Sequence, residues 1–158
     1  MVKRKKQFKI YVFRFPKKKF EKLYGKGTMG VSPRVNVKTK EGEIHIRKDG
    51  QIPKKKFEQT LKHEEGHIVS EKCQLYQNLS DRERKMFAQF GKGYVSLKRG
   101  RHIKRGELIK EGLAGMYEKI HLGTQSEKEI IKKYYKSGYQ LLRECKRKLN
   151  PKVILNQV

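Results

Sequence analysis

The chain of 158 residues has no tryptophan, only two cysteines and four prolines, and its 16 acidic residues are outnumbered by 41 lysines and arginines. Each shortage excludes something. Two cysteines are too few for a disulfide framework, and neither Cys73 nor Cys145 has a Cys or His neighbour at zinc-ligand spacing, so both are expected as buried thiols. No run approaches the roughly 18 consecutive apolar residues of a membrane span. The start, Met1-Val2-Lys3-Arg4-Lys5-Lys6, leads into a strand-like segment instead of a signal peptide with a small-residue cleavage site, so a soluble, intracellular protein is expected.

An apolar share of 35% in a chain this long suffices for a single core, and one domain over residues 1–158 is expected. Its first part, 7–50, reads mainly as sheet. Phe8, Ile10 and Val12 alternate with Tyr11, Phe13 and Phe15, which predicts a central strand covered on both faces. Pro16 opens a short helix carrying Phe20 and Leu23, Gly25 to Ser32 reads as a glycine-rich loop, and Arg34 to Lys40 with Glu43 to Arg47 form a hairpin about a turn at Glu41-Gly42. Asp49-Gly50 then breaks the sheet.

The second part, 53–149, reads mainly as helix. Phe57, Leu61, Ile68 and Leu75 make one stripe of a helix running to about Tyr76. Ser80-Asp81-Arg82-Glu83 has the form of a capping box and starts a short helix, and Gly91 to Arg105 reads as loop. A third helix is expected over Gly106 to His121. A long terminal helix opens at Ser126-Glu127-Lys128-Glu129 and ends before Pro151, leaving 150–158 as a tail. Sheet first and helices after predict the α+β class. The hexamer Pro-Lys-Lys-Lys-Phe-Glu at Pro16 to Glu21 and again at Pro53 to Glu58 has unmatched surroundings, so it marks two helix starts of similar local chemistry and not a repeat.

Inside the long helix lies His63-Glu64-Glu65-Gly66-His67, an H-E-x-x-H pattern. Histidines at i and i+4 share one helix face a turn apart and can grip one ion. They point away from Phe57, Leu61 and Ile68, so the apolar stripe can enter the core while the imidazoles face a cleft. A catalytic zinc typically takes three protein ligands and keeps a fourth position for water, so one more ligand is required. Glu111 is the leading candidate; Glu107 and His102 are alternatives, and a solvated acidic face formed with Glu107, Ala114 and Glu118 is the bland reading of the same residues.

Glu111-Gly112-Leu113-Ala114-Gly115-Met116-Tyr117-Glu118 resembles the third-ligand helix of the gluzincin metallopeptidases, in which Glu-Gly-aromatic-Ala-x-x-Tyr recurs. With the His63 to His67 pattern, the chain is similar to a small gluzincin. That resemblance implies a zincin-like fold, His63, His67 and Glu111 as ligands of Zn2+, Glu64 as general base, and hydrolysis of peptide bonds. The chain departs from the family at Lys110, where aminopeptidase-type members carry Asn, and at Gly115, where thermolysin-like members carry Asp. The strand carrying Glu43, Ile44, His45 and Ile46 is the candidate edge for an extended peptide substrate. An oxyanion donor is expected among Tyr94, His102, His121, Tyr134, Tyr135 and Tyr139.

The scarcity of acids leaves a formal charge of +25, with tracts at Lys3 to Lys6, Lys17 to Lys19, Lys54 to Lys56 and Lys98 to Arg105. Such a field attracts nucleic acid or other polyanions without base specificity. A basic nucleic-acid-binding protein with structural or no metal is therefore the rival function, and a protease recruited to nucleic-acid-bound proteins joins the two. The apolar stretch Val153-Ile154-Leu155 raises a further expectation, a tail docked in the cleft.

Overall fold

Alternating apolar residues in the first strand, β1 (Lys9–Pro16), send Ile10 and Val12 into full burial on one face while Tyr11, Phe13 and Phe15 line the other. In the computed structural model, which describes residues 7–35, 41–48, 52–95 and 103–156, Pro16 caps α1 (Lys17–Tyr24), and β2 (Gly30–Val35) and β3 (Glu41–Lys48) follow. The helical part comprises α2 (Lys54–Lys72), α3 (Leu75–Asn78), α4 (Asp81–Val95), α5 (Arg105–Leu122), α6 (Gln125–Tyr134) and α7 (Lys136–Leu149), after which the chain returns to the sheet as β4 (Lys152–Asn156). The class is α+β, as expected.

The sheet runs β2-β3-β1-β4, with β1 parallel to both β3 and β4 and β2 antiparallel to β3. One face packs Phe8, Ile10, Val12, Ile44 and Ile46 on Ile68 of α2. Gly42 lets this contact close, because a Cβ there would lie 2.9 Å from a methyl of Ile68. The opposite face carries α1, whose Phe20 is buried, and an aromatic group in which Tyr24 Oη lies 2.7 Å from His45 Nδ1. A second core joins the helices through Val69, Phe87, Leu113, Met116 and Leu142.

Several sequence expectations change. Residues 41 and 42 belong to β3 itself, and the connection at 36–40 lies outside the described residues. The first long helix ends at Lys72, because Gln74 takes a left-handed conformation (φ 54°) before the short α3. Ser80 and Glu83 do form reciprocal capping contacts of 3.0 and 3.2 Å, but α4 continues through Gly91 and Gly93 to Val95. The terminal helix is two, broken at Tyr135, and its capping residue is Thr124, not Ser126. Thr124 and Glu127 satisfy each other's backbone N–H groups at 3.2 and 3.0 Å.

Two corrections matter more. Cys73 and Cys145 are not thiols but form a disulfide that ties the end of α2 to α7. Residues 152–156 are not a loose or cleft-docked tail: Val153 and Ile154 pair with Ile10 and Tyr11 as a sheet strand, because the short apolar run 153–155, β-branched at Val153 and Ile154, suits the edge of β1 that β3 leaves unpaired. No helix among the described residues is long and apolar enough to cross a membrane.

Candidate metal centre

His63 and His67 lie one turn apart on α2, the helix wedged between the sheet and α5. Gly66, between them, is the point of closest approach: a Cβ there would sit 3.0 Å from the Cα of Ala114 and 3.1 Å from its carbonyl oxygen. Two small residues thus let α2 and α5 cross at backbone distance. Glu111, almost one turn before Ala114, is carried across to the imidazoles.

Its two carboxylate oxygens face the two rings, Oε2 at 3.0 Å from His63 Nε2 and Oε1 at 3.1 Å from His67 Nε2. One donor atom from each of the three residues lies within 4.8 Å of the others, so the group could hold a metal ion. The donor set fits: two imidazole nitrogens and a carboxylate match the two-His, one-Glu set of catalytic zinc sites, and donors about 2.0–2.2 Å from a tetrahedral ion stand roughly 3.3–3.6 Å apart. The contacts shift the titration of these groups. Burial lowers the pKa of His67, but the hydrogen bond and charge of Glu111, with Glu64 and Glu71, outweigh it and leave the ring above its ordinary value. Burial likewise raises Glu111, and both imidazoles overcome that to hold it well below the usual carboxylate range.

Around this group opens a cleft of about 1210 Å³. Glu64, itself almost fully buried, lines it beside Thr60, and Met29 and Gly30 at the start of β2 form the facing wall. A Cβ on Gly30 would come 2.7 Å from a methyl of Thr60 and 3.4 Å from Glu64 Cγ, so this strand lies directly along the motif helix. Farther out, Phe90, Ile130 and Tyr135 supply an apolar wall. Glu65 faces elsewhere: it is buried and bonded to Lys62 at 2.8 Å.

The expectation for the substrate strand is corrected. β3 is an inner strand, hydrogen-bonded to β2 on one side and β1 on the other, so Glu43, Ile44, His45 and Ile46 offer no open edge. Ile44 and Ile46 are sealed in the core, and alternation turns Glu43 and His45 to the opposite face, where the rings of Phe13 and Phe15 pack on His45. The edge on the cleft side is β2.

The remaining candidates are sorted by position. Glu107 lines the cleft but stands outside the donor group, and His102 lies outside the described residues. Tyr94 and Tyr135 line the cleft. His121 is engaged elsewhere, with Tyr117 O at 2.7 Å and Lys146 Nζ at 2.6 Å, while Tyr134 is exposed and Tyr139 accepts a bond from Arg143.

Sequence reasoning missed Glu118. It stands two turns after Glu111 on the same face of α5, and from Ala114 onward that face is packed against α2 and α4, leaving Glu118 only 4% exposed while Glu107 stays in solvent. The i, i+7 spacing was the available signal. Tyr94 Oη donates to Glu118 Oε1 at 2.7 Å, and the Tyr94 ring stacks on His63 at 5.0 Å with an interplanar angle of 7°. Gly115 makes this possible, since a Cβ there would meet the Tyr94 ring at 2.9 Å. Burial, then the charge and hydrogen bond of Glu118, push the Tyr94 phenol far above its ordinary pKa, so it stays a donor at neutral pH.

Compared with protein-family models, curated proteins and solved structures, the chain gives no match in any of the three.

Proposed function

We propose that this protein is a zinc-dependent hydrolase of peptide or amide bonds. The observation that carries the reading is the convergence of both imidazole Nε2 atoms on the Glu111 carboxylate, at 3.0 and 3.1 Å, in a cleft that also presents Glu64. His63, His67 and Glu111 would hold the ion. Zinc bound by such a set lowers the pKa of its water to about 7 and polarises the substrate carbonyl.

The chain's own residues do the rest. Glu64, on the motif helix and lining the cleft, accepts a proton from the attacking water and delivers it to the leaving amine; an amide in its place cannot do either. The outer edge of β2, without a strand partner among the described residues, offers the backbone groups of Gly30 and Val31, ahead of the register shift before Arg34, to an extended peptide and holds the scissile bond over the motif helix. Of the two expected oxyanion donors that line the cleft among the described residues, Tyr94 gives its hydroxyl proton to Glu118, so Tyr135 is the one left for that role.

The test is metal analysis of the purified protein together with Glu64→Gln. Stoichiometric zinc in both proteins, with hydrolysis of a quenched peptide library by the wild type alone, is the expected result. Absence of bound metal in the wild type, or full activity in Glu64→Gln, would place the chemistry elsewhere.

The charge of +25 supports a polyanion, including nucleic acid, as an additional partner. Fluorescence anisotropy with a labelled oligonucleotide should show affinity falling steeply between low and physiological salt; a flat salt response removes that partner.

A further inference from the structure

His63 can offer Nε2 to an ion only as the tautomer that carries its proton on Nδ1. That Nδ1 is buried and, among the described residues, has no hydrogen-bond partner within bonding distance. A buried N–H without an acceptor loses its hydration with nothing in return, so the ring needs one. The carboxylate facing it is that of Glu118, whose Oε1 lies 3.7 Å away, and Glu118 is itself 4% exposed. A movement of about 0.9 Å along that line gives a hydrogen bond of ordinary length. The same Oε1 already accepts the Tyr94 hydroxyl at 2.7 Å, and the Tyr94 ring lies flat on the imidazole whose far nitrogen faces Glu111.

From this arrangement we propose that Glu118 is the positioning residue of the centre: it fixes the tautomer and ring angle of His63, and Tyr94 holds Glu118 in place from the other side. This rests on the metal-site reading and deepens it. Three helices are then committed to one ligand, α2 supplying His63, α5 the carboxylate beneath it and α4 the phenol that locks both. Outer partners of a ligating histidine orient the ring and raise its basicity, and their loss typically lowers metal affinity about 10- to 100-fold. Glu118 touches neither ion nor substrate; its effect passes entirely through His63.

The experiment is a zinc competition titration with a chromophoric chelator on wild type, Glu118→Met, Glu118→Gln and Tyr94→Phe. It is paired with the imidazole proton spectrum of zinc-loaded, histidine-labelled protein. Glu118→Met keeps the side-chain length without an acceptor and should weaken zinc binding about 10- to 100-fold. Glu118→Gln retains a carbonyl acceptor and should recover most of that loss, and Tyr94→Phe should fall between. The spectrum should hold one downfield Nδ1–H resonance in wild type and Glu118→Gln that disappears in Glu118→Met. A merely structural role would not move that resonance selectively. If the wild type binds zinc and Glu118→Met binds it within twofold with the resonance intact, the inference fails and the metal site stands. If the wild type binds no zinc, both fall. Should Glu118→Met not fold, the resonance and affinity of Glu118→Gln decide: both lost overturns the assignment of Glu118 as acceptor, both kept supports it.

Discussion

Replacing Gly112 by alanine should separate α4 from α5 and loosen the centre those helices build. A Cβ at position 112 would stand 2.0 Å from the carbonyl oxygen of Phe87 and 2.9 Å from its carbon, both backbone atoms in the middle of α4. Contacts of this kind settle near 3.5 Å, so α4 must retreat by about 1.5 Å. Overpacking of a filled interface costs about 1–3 kcal/mol, here near the upper figure because backbone cannot rotate aside, and alanine returns about 1 kcal/mol of helix propensity. The net loss is about 2 kcal/mol, a fall in Tm of roughly 4–8 °C for a chain of this size. Gly93 is the control. It lies in the same helix, a Cβ there meets nothing within 4 Å among the described residues, and Gly93→Ala should raise Tm by roughly 2–4 °C. Gly91 makes the reciprocal contact, 2.0 Å to Leu108 O, so Gly91→Ala and Gly112→Ala force the same separation and their double variant should lose less than the sum. Circular dichroism melts with excess chelator read the wild type and the four variants. A Gly112→Ala variant as stable as wild type, or a Gly93→Ala variant equally damaged, would refute the reasoning.

The remaining predictions concern the disulfide and the metal ligands. Cys73 and Cys145 close a loop with a separation of 72 residues; in the chain-entropy model that is worth about 4 kcal/mol, so reduction should lower Tm by roughly 8–16 °C, and two thiols titrating in the unreduced, denatured protein would cancel the prediction. In chelator-treated protein, Glu111 is depressed below its ordinary 4.5, so its contribution is present above that pH and fades as acid is added through the folded value. His67 is raised above its ordinary 6.5, so its contribution is complete below that pH and is lost as pH rises through the folded value. Urea unfolding should therefore show a stability maximum between about 4.5 and 6.5 that Glu111→Gln removes; parallel profiles for the two proteins would show that the pair does not set it.

The sequence made legible what depends on period and on local termini. The helical stripe of Phe57, Leu61 and Ile68 and the opposed pair His63 and His67 followed from spacing alone, and so did Pro16 and Pro53 as helix openings. Glu111 was reachable because the segment Glu111 to Glu118 resembles the third-ligand helix of the gluzincins. What escaped depends on distant partners. Gly91 and Gly93 read as loop because glycine opposes helix locally, whereas at Gly91 the crossing with α5 requires a missing side chain. The inner position of β3 depends on β1 and β2 flanking it, and strand order is absent from a single strand's pattern. Cys73 and Cys145 meet only because α7 folds back along α2. Glu118 was visible as a member of an acidic face; that its end of the face is buried could be known only once α4 lay over it.

The pairing of β4 with β1 bears on how the molecule is made. Lys9 aligns with Lys152, so the outer parallel pair of the sheet, β1 with the edge strand β4, joins segments at opposite extremes of the described chain. On the ribosome β1 emerges well before β4, its second neighbour, exists, and this long separation raises the contact order and leaves an apolar ribbon unpaired in the interval. The lysines that flank it, Lys5 and Lys6 before and Lys17 to Lys19 after, give every copy the same charge there, which opposes the pairing of two such ribbons.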